Sequence, residues 1–162
     1  MSEEISSEVP LSLSAALELE HRQVDDGLAV FLAELDGGRV DADGLNTALD
    51  ALRRHIFAEE RILFPPIRHG GMAMPIAVMM SEHGEIWRAM DALAELAGAV
   101  DIARIRAAGQ NLLGLLASHN DKEEQVIYPA ADRELDPEQS AELADFLETG
   151  LMPDCWECRE AG

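Results

Sequence analysis

Residues Arg54–Pro65 read RHIFAEERILFP, an amphipathic run in which His55 and Glu59 stand four residues apart. On an α-helix four residues advance about 400°, so the two side chains point the same way to within about 40° and can grip one ion together. Residues Ser118–Pro129, SHNDKEEQVIYP, repeat the pattern in the same frame. His119 and Glu123 take the places of His55 and Glu59. Each of those glutamates is followed at once by another (Glu60, Glu124), and five residues after that by a proline (Pro65, Pro129). One His-x-x-x-Glu is weak evidence of anything; two in matching frames define a pattern.

Working outward, each motif lies on an apolar stripe with the spacing of a bundle helix. Ala48, Leu52, His55, Glu59 and Ile62 predict an inward face on a helix over about 44–64, capped by Asp43 and stopped by Pro65-Pro66. Leu112, Leu116, His119, Glu123 and Val126 predict the same on a helix over about 102–128, capped by Asp101. A first helix runs from a Ser12 or Ser14 cap to about Asp36, with Leu17, His21, Val24, Leu28, Phe31 and Leu35 inward; Gly37-Gly38 stops it. A further helix, with Pro75 in its first turn, reaches about Val100 and turns Ile76, Met79, His83, Ile86, Met90 and Leu93 inward, Trp87 at the edge. The loop before it carries His69.

Four long helices with short connections predict an all-α, antiparallel up-down-up-down four-helix bundle, followed by a short fifth helix from Asp136-Pro137 to about Thr149. The chain divides into a disordered acidic arm at 1–11, the bundle at 12–130, and a segment at 131–162 with the short helix and a Cys-containing tail. It also repeats internally. ELEHRQVDDGLAVFLAEL aligns with MSEHGEIWRAMDALAEL, pairing Glu20-His21 with Glu82-His83, and the second helix aligns with the fourth. The bundle is therefore two similar hairpins, each offering one histidine and one His-x-x-x-Glu pair to the middle.

Composition narrows the function. The 162 residues carry 32 acidic and 12 basic side chains, a net charge of −20, which repels nucleic acid and anionic membrane surfaces. The N-terminus has no basic and apolar leader pattern, and no apolar run has the length of a membrane span. Two cysteines near the end of the chain make no disulfide framework. A cytoplasmic protein with no nucleic-acid or membrane partner is expected; oligomeric state does not follow from these features.

Four histidines and two glutamates in one apolar layer would lose several kcal/mol of solvation apiece if left unpaired. A metal supplies the compensation, and two half-sites call for two ions. His21, His55, His83 and His119 are the expected terminal ligands, with Glu59 and Glu123 bridging. These donors fill about eight of roughly twelve positions on two six-coordinate ions, leaving room for oxo, hydroxo or a small molecule. Iron suits this mixed ligation with vacancies; zinc and manganese are alternatives.

The ordered set resembles the hemerythrin-like proteins, or HHE cation-binding domains. It comprises His21, His55-x-x-x-Glu59-Glu60 with Pro65, Glu82-His83, and His119-x-x-x-Glu123-Glu124 with Tyr128-Pro129, over about residues 12–130. The resemblance implies a four-helix bundle around a non-haem di-iron centre with a bridging oxo or hydroxo group, reacting with O2, H2O2 or NO. Oxygen carriers of that family have a second histidine one turn after the third-helix one, where Trp87 stands here. They also take a fourth-helix carboxylate from the place of Glu124, whereas helical phase favours Glu123. Catalase-like peroxide consumption is thereby favoured over reversible carriage, and a non-enzymatic sensor or iron store is the alternative. A ferritin-like centre would need two Glu-x-x-His pairs, and only Glu18-x-x-His21 occurs.

Other residues have plainer readings. Glu60 and Glu124 are expected to be solvated or to orient histidines, and Asp25 to lie on the surface or accept from His21. Trp87 is expected to pack beside the site. Nine α-helical residues separate Tyr128 from His119, so Tyr128 is expected to face away from the metals. His69 is read as a surface residue and Cys155-x-x-Cys158 as an inert tail pair, with a redox role as the alternative.

Overall fold

The computed structural model describes residues 11–162; the arm expected at 1–11 lies, but for Leu11, outside them. Among the described residues every regular element is a helix, and there are no strands. Helix α1 spans Leu13–Asp36, α2 Ala42–Ala58, α3 Ala73–Ala99, α4 Ile102–Lys122 and α5 Pro137–Thr149. Ser12, Asp41, Asp101 and Asp136 cap α1, α2, α4 and α5, each accepting a backbone N–H of the first turn. The cap of α2 is thus Asp41 rather than Asp43, because Asp41 has the reach to Gly44 N at 3.1 Å. Gly37-Gly38 ends α1, with Gly38 in the left-handed region at φ 80°.

Neither Pro65-Pro66 nor Pro129 stops its helix. Helix α2 runs into a π-helical turn, Glu59–Leu63, and then a short α segment, Phe64–Ile67. Helix α4 does the same through Glu123–Ile127 and Tyr128–Glu134. In each turn a backbone N–H reaches back five residues, from Phe64 to Glu59 and from Tyr128 to Glu123. A proline has no N–H and its ring strikes the carbonyl four residues back; the wider turn relieves that clash and keeps the axis continuous. The extra residue rotates the side chains beyond it about the axis. Leu63 and Ile127 are buried, whereas Ile62 is half-buried and Val126 exposed, correcting the inward assignment of those two.

The stripes on α1 and α3 are buried as expected, and Trp87 joins them at 3% exposure. Two apolar clusters result. One is built on Val24, Leu28, Leu49, Leu52, Met90, Leu112 and Leu116, the other on Leu17, Leu63, Phe64, Ile76, Met79 and Ile127. His21, His55, His83 and His119 fall between them along α1, α2, α3 and α4. Arg106 reaches Asp36 at 2.9 Å, setting the start of α4 beside the end of α1, and Arg53 reaches Asp91 at 3.2 Å across α2 and α3.

Helix α5 is docked by one side chain. The Arg54 guanidinium donates to the carbonyls of Leu147 (3.1 Å), Gly150 (2.9 Å) and Phe146, placing a cation at the negative end of the helix. Residues 151–162 then return across the bundle, with Trp156 set edge-on between Phe57 and Trp87 at ring distances of 5.1 and 5.5 Å.

Candidate metal centre

Each of the four long helices turns one histidine into the layer between the clusters, and the π turns of the second and fourth begin at the two glutamates. Among the described residues two sets of potential donors form: His21, His55, Glu59 and Glu123, and His83, His119, Glu59 and Glu123. Within each set the donor atoms lie within 4.8 Å of one another, and all are buried. Both glutamates belong to both sets. His21 Nε2 is 3.3 Å from Glu123 Oε1, His83 Nε2 3.2 Å from Glu59 Oε1, and His119 Nε2 3.2 Å from Glu123 Oε1. His55 Nε2 lies 3.5 Å from Glu59 Oε1. Every sequence-predicted site residue is therefore brought into one layer, whereas Glu124 sits at its margin.

The halves match in detail. Ring centroids are 4.7 Å apart for His21 and His55, and 4.8 Å for His83 and His119. Tyr128 stacks on His21 at 5.4 Å, and Phe64, its counterpart in the repeat, stacks on His83 at 5.7 Å.

The outward nitrogens are held by carboxylates. Glu20 takes His55 Nδ1 at 2.9 Å, Glu82 takes His119 Nδ1 at 3.0 Å, and Glu60 takes His83 Nδ1 at 2.6 Å. Such partners fix the tautomer that turns a bare Nε2 inward and raise its basicity toward a cation. Glu60 is accordingly buried and orients His83. Its counterpart Glu124 is 3.9 Å from His21 Nδ1 and partly exposed. The sequence does not assign the roles of Glu20 and Glu82, although the repeat aligns them; the signal is their shared place before His21 and His83.

Tyr128 corrects its expected orientation. It is fully buried, and its hydroxyl donates to Glu59 Oε2 at 3.0 Å while lying 2.8 Å from His21 Nε2 and 3.2 Å from His55 Nε2. Glu123 Oε1 is 3.3 Å away. The nine-residue count assumes 100° per residue throughout, and the π turn between Glu123 and Tyr128 breaks that phase. The legible signal is Pro129, which an uninterrupted α-helix does not accommodate.

Without a cation the layer is a dense ionic cluster. Burial opposes charge on His55, yet the Glu59 carboxylate and the hydrogen bond to Glu20 push its pKa well up. Against the same burial, Glu123 and Glu82 raise His119 to about 10. The hydrogen bond from His119, aided by Lys122, lowers Glu82 to about 2. Burial, then the Glu123 and Glu59 charges, hold the Tyr128 phenol protonated. Even so, Glu59 Oε1, His83 Nε2, Glu123 Oε2 and His21 Nδ1 are buried without a hydrogen-bond partner. Three of those four atoms face the middle, and orphaned buried acceptors are costly. Imidazole and carboxylate donors so arranged fit first-row divalent cations.

Residues 12–131 match the Hemerythrin HHE cation binding domain, and the chain belongs to that family. Over 52 residues it is 54% identical to the iron-sulfur cluster repair protein DnrN of Neisseria gonorrhoeae. That match takes in 30% of this chain and 33% of the relative's length. No solved structure matches the chain. None of the described helices is long and apolar enough to cross a membrane.

Proposed function

We propose that the chain is a non-haem di-iron protein that consumes peroxide, built on an antiparallel up-down-up-down bundle spanning residues 12–130. The observation that carries this reading is the pair of buried His-His-Glu-Glu sets sharing both glutamates. His21, His55, His83, His119, Glu59 and Glu123 would hold the ions, the two glutamates being common to both sets. When bound, the iron pair would supply the two electrons that peroxide requires and take them back from a second peroxide. The residues divide the remaining work. Glu20, Glu60 and Glu82 hold three imidazoles by their Nδ1 protons, so the ligand set is assembled before a cation arrives. The Tyr128 hydroxyl, held protonated against four of the six side chains, can donate a hydrogen bond to an oxygen in the layer. Leu17, Leu28, Leu52 and Leu116 keep bulk water away on both sides. The small ligand is H2O2 in this reading, with O2 and NO as relatives of the same size; zinc, which has no redox chemistry, would not support it, whereas a manganese pair could.

A second reading is an iron reservoir or sensor serving the repair of iron-sulfur clusters, as in the relative's name. One assay separates the two. Protein reconstituted with two irons per chain should evolve oxygen from peroxide over many turnovers, and Glu59→Gln should abolish this while emptying the site on metal analysis. A single bleaching reaction followed by iron release would overturn the enzymatic reading in favour of the reservoir.

A further inference from the structure

The segment 151–162 makes the two halves of the bundle unlike. It lies over the His83 side alone, where four contacts fasten it. Arg159 N donates to Glu60 Oε1 at 3.1 Å, and the other oxygen of Glu60 holds His83. Arg88 donates to the Glu160 carbonyl at 2.8 Å. That carbonyl rests on Gly84, where an added Cβ would lie 2.3 Å from the oxygen, so only glycine admits the segment there. In the other half Arg22 occupies the place of Gly84, and nothing comparable covers Glu124 among the described residues. Trp156 supplies the fourth anchor, wedged between Phe57 and Trp87.

Two thiols sit within this strap, both reduced, in contrasting surroundings. Cys155 is exposed and its backbone is left-handed at φ 60°, a conformation that side chains other than glycine hold at a cost. Cys158 is 3% exposed, directly before the Arg159 that grips Glu60. We propose that Cys155 and Cys158 form a dithiol oxidised by peroxides, whose closure to a disulfide draws Cys158 out of its pocket and lifts the strap from Glu60 and Gly84.

The chemistry balances. The Cys155 thiolate attacks one peroxide oxygen, the O–O bond breaks, and a sulfenic acid and hydroxide form; the sulfur of Cys158 then attacks the sulfenic sulfur, the S–S bond forms and water leaves. Two thiols lose two hydrogens, and one peroxide becomes two waters. Cys158 suits the second step. Burial and the neighbouring Glu60 charge push its thiol up to about 12, so peroxide does not find it as a thiolate in the docked strap. It becomes a nucleophile when a fluctuation of the strap carries it away from Glu60 into solvent. A disulfide brings the two Cβ atoms to about 3.5–4.5 Å and folds Trp156-Glu157 into a tight loop. With Cys155 in solvent, that closure pulls Cys158 outward, and Arg159 N leaves Glu60 with it. His83 would then be held by a carboxylate open to water, making peroxide a signal that loosens one side of the centre.

The test uses the iron-loaded full chain and a tenfold excess of H2O2, read by non-reducing mass spectrometry and amide hydrogen exchange; neither depends on turnover at the metals. The expected result is loss of two hydrogens and at least tenfold faster exchange of the Arg159 amide, both reversed by dithiothreitol and both absent in Cys155→Ser. Gly84→Ala should give the fast exchange without any oxidant. Failure to form the disulfide, a disulfide with Arg159 still protected, release of the strap in Cys155→Ser, or an unchanged Arg159 amide in Gly84→Ala would each overturn the proposal.

Discussion

Replacing Tyr128 by phenylalanine removes one oxygen and leaves His21, His55, Glu59 and Glu123 without their common partner. In metal-free protein this should lower stability by about 1–3 kcal/mol in urea unfolding, the usual cost of orphaning buried polar groups. The ring packing stays, so metal analysis should still find two ions per chain. Glu60 and Glu124 give a second contrast at this scale. They match by repeat but not by contact, 2.6 Å to His83 against 3.9 Å to His21. Glu60→Gln should weaken metal binding about tenfold or more in competition with a chromophoric chelator, whereas Glu124→Gln should change it by less than about threefold. The equivalence of these two glutamates is legible in the sequence; the inequality is not, because it comes from a strap whose docking no local pattern encodes.

At the scale of the element, the π turns decide more than the helices that contain them. Helical phase brings the four histidines and the two shared glutamates into one layer, since all of them precede or open the turns. It fails for Ile62, Val126 and Tyr128, which lie inside or after them. Prolines that read as helix stops are in fact accommodated by widening, and the widening is what aims Tyr128 inward. Helix α5 depends instead on Arg54. Arg54→Ala removes three donations to carbonyls at its C-terminal end and the cation set 4.8 Å over the Phe146 ring. Global stability should fall by about 2–3 kcal/mol, with amide exchange in Pro137–Thr149 accelerating more than in α3.

For the whole molecule, a net charge of −20 and a buried ionic layer leave carboxylate charge that bound cations would offset. A ligand that binds only the folded state at a hundredfold excess over its dissociation constant adds about 2.7 kcal/mol. Iron loading should therefore raise the thermal midpoint by about 5–10 °C, and chelation should return it, as tracked by far-ultraviolet circular dichroism. The same charge repels anionic surfaces.

By itself the sequence determined the helical class, the twofold repeat and the side chains that gather in the middle. All three are products of short-range periodicity, since residues four apart on a helix share a face whatever surrounds them. Only the tertiary structure decided which carboxylate holds which imidazole, that Tyr128 enters the layer, and that Cys158 is sheltered beside Glu60. Each of these links residues tens of positions apart or hangs on a one-residue change of phase, and such relations are set by packing rather than by spacing along the chain.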